Sequence, residues 1–143
     1  MTKGEEFVHL FKYWCGRLGL DENIPIHKDN RFDCHAAVVD YNNEKIRLIY
    51  NTKKLAKWSE ALLMCGVLHE IGHLVNNLPY ETEKEQIYSE YRAEKYSLNL
   101  MKINYPKLYK EAIKEFKYKL KKPSWMKKNP IHYKAFIKIK EYQ

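Results

Sequence analysis

The chain has no apolar run approaching the roughly 18 residues that a membrane-spanning helix needs, so no membrane span is expected. Its N-terminus places Glu5, Glu6, Lys12 and Arg17 inside the apolar pattern, unlike a signal-peptide core. Cysteine is scarce. Cys15, Cys34 and Cys65 are odd in number and far apart, forming neither a CxxC knuckle nor a disulfide framework. That usage suits a reducing cytoplasm, which is the expected location. Repeats and low-complexity segments are missing too. At 143 residues, 45% hydrophobic and 31% charged, the chain reads as one globular domain rather than a disordered tail. Acidic residues are nearly absent from one end: residues 101–143 hold 13 lysines against Glu111, Glu115 and Glu141, net +10, while residues 1–100 are net −2. A lysine-rich end of this kind suits an acidic or nucleic-acid partner, or forms a solvated helical surface.

What is present centres on His69-Glu70-Ile71-Gly72-His73, inside the apolar-periodic run Ser59–Asn77. On a helix, residues i and i+4 share a face, so His69 and His73 can present two imidazoles to one metal ion. Glu70 is offset beside them, placed to accept a proton from water. This is the mechanics of the HExxH zinc motif, and Zn2+ is the expected cofactor. The apolar residues around the motif (Leu62, Leu63, Val67, Leu68, Ile71, Leu74 and Val75) place it on a largely buried helix.

The rest of the chain reads as α+β. Glu5–Leu18 has an apolar stripe of Phe7, Leu10, Phe11, Trp14 and Leu18, and Gly19 is placed to end the helix. Asp21–Asn30 reads as a loop. Arg31–Val39 and Lys45–Asn51 read as two strands of an antiparallel hairpin around Tyr41-Asn42-Asn43-Glu44. Asn51-Thr52 can cap a helix from Lys53, either continuous with the HExxH helix or broken before Ser59. Pro79 stops that helix, and Thr82 with Glu85 has capping-box spacing for another that ends before Pro106. Residues 107–120 and 130–141 read as two further helices joined through Lys-Lys-Pro-Ser-Trp.

A catalytic zinc usually has three protein ligands. The metzincin continuation is excluded, because Asn76 and Pro79 stand where its Gly and third His belong. Among histidines only His132 lies downstream, whereas acids are plentiful. Glu90 and Glu94 sit one turn apart, with small Ala93 and Ser97 nearby to let their helix approach the HExxH helix. Glu90 is the preferred third ligand and Glu94 a candidate to orient a ligand histidine, with the reverse assignment open. The bland alternative is a charged face in which these acids pair with Arg92 or Lys95. Cys65, one turn before His69, reads as a buried core thiol in preference to a ligand.

The stretch from His69 through Glu90-Tyr91-Arg92-Ala93-Glu94-Lys95-Tyr96-Ser97 resembles a gluzincin metallopeptidase. More narrowly it resembles the ImmA/IrrE-type peptidases and the archaeal minigluzincins, whose glutamate helix has the form Glu-x-x-Ala-Asn/Asp-x-Phe-Ala. It departs from them at Glu94 and at Tyr96-Ser97, and residues after Pro106 match no pattern of these families. The resemblance implies a minimal zincin-like domain over 1–143: N-terminal helix, small hairpin sheet, HExxH active-site helix, glutamate helix, and a basic helical extension over 106–143. It implies metal ligands His69, His73 and Glu90, and Glu70 as catalytic acid/base. The implied activity is endopeptidase cleavage of a protein or peptide through a zinc-bound water. It also implies a latent, zymogen-like state in which the tail covers the cleft, and a repressor-type substrate in the ImmA/IrrE manner. Tyr91, Tyr105, His132 and Tyr133 are candidate oxyanion donors, and one hairpin strand is expected to align substrate. The competing function is a nucleic-acid-binding or regulatory module with a structural metal or none, using Tyr118, Trp125 and Tyr133 among the lysines.

Overall fold

The computed structural model describes residues 1–33, 35–42 and 45–143. In chain order these form α1 (Lys3–Arg17), β1 (Ile26–Lys28), β2 (Ala37–Asn42), β3 (Lys45–Tyr50), α2 (Thr52–Leu55), α3 (Glu60–Asn76) and α4 (Glu83–Asn104). After these come α5 (Pro106–Lys119), α6 (Pro123–Lys128), α7 (Pro130–Phe136) and a 3₁₀ turn, Lys140–Tyr142. The architecture is mixed α+β. No described helix is long and apolar enough to cross a membrane.

Helix ends follow local chemistry. Thr2 with Glu5 and Thr82 with Glu85 form capping boxes that start α1 and α4. Gly19, at φ 72°, and Asn77, at φ 43°, take the left-handed conformation just past α1 and at the end of α3. Proline opens each of α5, α6 and α7, where its missing N–H costs no helical bond. Two expectations change here. The helix expected over 130–141 ends at Phe136, and the joining segment contributes α6.

The helix after Asn51 is broken. Its Oδ1 accepts from Lys53 and Lys54 N–H to start α2, and Ser59 Oγ accepts from Leu62 N–H to start α3. Between them Trp58 lies against Gly66, where a Cβ would stand 2.5 Å from the indole. A side chain at that position is sterically barred, so the glycine is what lets Trp58 fold back on α3.

The sheet keeps the expected antiparallel hairpin, β2 with β3, but shifts the bounds of its first strand and adds a third strand. Its order is β1-β3-β2, with β2 antiparallel and β1 parallel to the central β3. The expected loop Asp21–Asn30 therefore supplies a strand. Conversely, the described residues of 31–36 are not strand. Asp29 Oδ1 accepts from Arg31 N–H, Phe32 N–H bonds back to Asp29 O, and buried Asn51 donates Nδ2 to Asn30 O and Phe32 O. These local bonds take the backbone groups that a ladder would use. Tyr41 and Asn42, expected in the turn, extend β2; Asn43 and Glu44 of that turn lie outside the described residues, as does Cys34.

The main core joins α1 (Phe7, Phe11, Trp14), β3 (Leu48), α2 (Leu55) and α3 (Leu63, Val67, Leu68, Ile71). Ala112 of α5 is buried in it, so the basic end is not a loose appendage. A second cluster sits between α4 and the C-terminus: Leu98, Ala135, Phe136, Ile139 and Tyr142, with Phe116 and Trp125 packed against it.

Candidate metal centre

α3 carries the HExxH residues on a helix almost wholly inside the molecule. His69 and Glu70 are buried, and His73 is partly so. Gly72 opposes Ala93 of α4, and Ser97 Oγ donates to Cys65 O at 2.9 Å, so the two helices run antiparallel. A Cβ on Gly72 would stand 2.8 Å from Ala93 O, closer than atoms pack. Small residues on both helices bring the α4 carboxylates to the α3 imidazoles.

Glu90 and Glu94, only 3% and 1% exposed, are the result. Glu90 Oε1 lies 2.7 Å from His69 Nε2 and 3.1 Å from His73 Nε2. Glu94 Oε1 lies 2.8 Å from His69 Nδ1, behind the ring. The alternative pairings are not made: Lys95 bonds Glu141 across to the C-terminus, and Arg92 bonds Tyr88 and Asn76. Glu70 stays beside the imidazoles, a carboxylate oxygen within 4.8 Å of the His69 and His73 ligand atoms, and its Oε1 accepts from Val39 N–H of β2 at 2.8 Å. Cys65 stays in the core, its thiol donating to Glu94 at 3.7 Å, with burial pushing its pKa well above the usual thiol range.

Four further side chains come to the site through tertiary docking, of which the sequence singled out His132 alone, as a candidate oxyanion donor. His132, on the first turn of α7, has Nε2 3.2 Å from Glu90 Oε1 and its ring stacked on His69. Tyr80, in the α3–α4 link, donates to Glu90 Oε2 and lies edge-on to His73. Tyr142 donates to Glu94 Oε2 at 2.6 Å. His35, just before β2, lies 5.4 Å from the His132 ring, centroid to centroid. Among the oxyanion candidates, Tyr105 instead accepts from Trp14 Nε1, and Tyr91 packs in the second core. Ser89 Oγ is 3.2 Å from His73 Nδ1, so both ligand-type histidines have a partner on the nitrogen facing away from Glu90.

Electrostatics follow from this packing. Burial alone would depress the His69 pKa, but hydrogen bonds to Glu90 and then Glu94 hold it well above the usual imidazole range. Burial likewise opposes the charge on Glu90, which His132 and then the hydrogen bonds from His132, His69 and His73 hold well below the carboxylate range. Glu70 is raised, chiefly by burial, with His73 and His69 opposing and Glu90 reinforcing the shift. Burial, then Glu90, raises Tyr80 as well, which keeps its hydroxyl a donor. Burial lowers His35, and His132 adds to the effect.

The donor set suits a divalent metal of borderline softness, which binds imidazole nitrogen and carboxylate oxygen. Donors about 2.0–2.1 Å from a tetrahedral zinc stand roughly 3.3 Å apart, close to the 2.7–3.2 Å from Glu90 Oε1 to the three imidazoles. Two overlapping groups, His69–Glu70–His73 and His69–Glu90–His132, each have ligand atoms within 4.8 Å of one another. Compared with known protein families, curated proteins and solved structures, the chain matches none.

Proposed function

We propose that the protein is a zinc-dependent endopeptidase of gluzincin type on a minimal zincin-like fold, with His69, His73 and Glu90 as metal ligands. The observation that carries this reading is the convergence of both HExxH imidazoles on one buried carboxylate oxygen of the next helix. When bound, zinc supplies a Lewis acid that acidifies water and polarises a carbonyl. The chain's own residues do the rest. Glu94 holds His69 by Nδ1 and Ser89 partners His73 Nδ1, which leaves Nε2 of each ring toward Glu90. Tyr80 holds the second oxygen of Glu90.

Glu70 is the general base. Its raised pKa brings it toward the range where a carboxylate can take a proton from water and return it to a leaving amine. The backbone beside it is suited to an extended peptide. β2 pairs with β3 on one side, and Leu48 N–H bonds Pro25 O, so Val39 N–H, opposite Leu48, is free to point at Glu70 along the outer edge. Substrate that took over such edge groups would lie antiparallel or parallel to β2 beside the base.

The nucleic-acid reading has less support. Trp125, partly buried, stacks on Phe136 against the second core, and the Tyr118 ring has Lys122 Nζ 4.1 Å from its centroid. Glu70→Gln tests the proposal: peptidase activity should fall about 10²–10⁴-fold while zinc stays bound. Cleavage that survives this change would contradict it.

A further inference from the structure

We propose that His132 is a fourth protein ligand to the metal, closing the site in the conformation described above. This rests on the preceding assignment of His69, His73 and Glu90. His132 Nε2 is 3.2 Å from Glu90 Oε1, the same range as His73 Nε2 at 3.1 Å on that atom. That is ligand-to-ligand spacing around one small ion. The spacing also holds beyond this one pair: His69, Glu90 and His132 offer ligand atoms that all lie within 4.8 Å of one another, and the His132 ring is stacked on His69. With four protein ligands zinc is closed in the manner of a structural site; with three it keeps a position for water.

The placement of His132 is fixed by the rest of the C-terminal segment, in which Phe136 meets the His132 ring edge-on at 5.7 Å. Ala135 and Phe136 of α7, Ile139 and Tyr142 bury against Leu98 of α4. Tyr142 bonds Glu94, Glu141 pairs with Lys95, and Lys134 pairs with Glu83. His132 itself lies at the open end of this arrangement, its side chain 22% exposed on the first turn of α7. The C-terminal segment thus presents one imidazole to the site from a seat made of an apolar cluster and three polar ties. Exchange of that imidazole for water, by movement of the first turn of α7 alone, would open the site without dismantling the second core.

The full-length chain loaded with Co2+ gives a direct readout, because its visible spectrum changes when a small anion enters the coordination shell. A tethered imidazole competes at millimolar or higher effective concentration. Azide should therefore shift the spectrum of His132→Ala at concentrations at least about tenfold below those the native chain needs. Free imidazole added to the variant should restore the native spectrum. A native chain that takes up one Co2+ and responds to azide as readily as the variant would overturn the proposal while leaving the three-ligand site standing. A native chain that takes up no Co2+ or Zn2+ would overturn both. If His132→Ala fails to fold, the native titration still decides: a spectrum insensitive to azide supports closure, and a shift at low azide refutes it.

Discussion

Toward α3, helix α4 buries Ser89, Glu90, Ala93, Glu94 and Ser97; toward the C-terminus it buries Leu98, flanked by Ile87 and Tyr91. The second interface is ordinary: apolar and aromatic groups leave water, and Phe116, Trp125, Phe136 and Tyr142 meet edge-on, stacked or tilted. The first interface is built against that rule. Two carboxylates and two imidazoles are taken out of water, where apolar residues of similar volume would often be as stable or more so. Every buried side-chain polar atom among the described residues has a partner, so the arrangement is complete. This hydrogen-bonded buried cluster, set on two helices pressed together at Gly72 and Ala93, is the feature on which the proposed metal centre rests.

The contrast can be broken on either side. Ile139→Ala should have the largest effect on folding, about 2–5 kcal/mol, because it opens a cavity in the second core at a side chain away from the imidazoles. Denaturant unfolding would measure this, and zinc stoichiometry under native conditions should be unchanged. Loss of zinc together with stability would show that the two interfaces are one unit. On the polar side, Glu94→Gln keeps the shape and removes the charge behind His69. Zinc affinity should drop about 10–100-fold, measured by chelator competition, with little change in the unfolding midpoint.

How much of this was legible in the sequence depends on distance along the chain. The shared face of His69 and His73, the Thr82–Glu85 capping box, the Asn51 cap and the prolines are set within four residues, and the local structure follows their spacing. Ala93 and Ser97 marked the close α3–α4 approach, and Glu90 and Glu94 lie where that approach puts them. By contrast β1 is three residues with one apolar side chain pointing inward, and only its pairing with β3 some twenty residues later makes it a strand. The start of the expected strand, Arg31 and Phe32, had strand-like residues, yet Asp29 and Asn51 take its backbone groups. His35, Tyr80, His132 and Tyr142 reach the site only through tertiary docking, and no periodicity could have placed them there. For Tyr118, Trp125 and Tyr133 the sequence had two readings, stacking platform or core; Trp125, partly buried, stacks on Phe136 at the second cluster, whereas Tyr118 stays exposed.

Metal content is the most direct test of the polar interface. Elemental analysis of the native chain and of Glu90→Ala should give about one zinc per native chain and almost none in the variant. A native chain that holds no zinc even after reconstitution would contradict the metal centre, and would make the His–Glu cluster a hydrogen-bonded strut between α3 and α4.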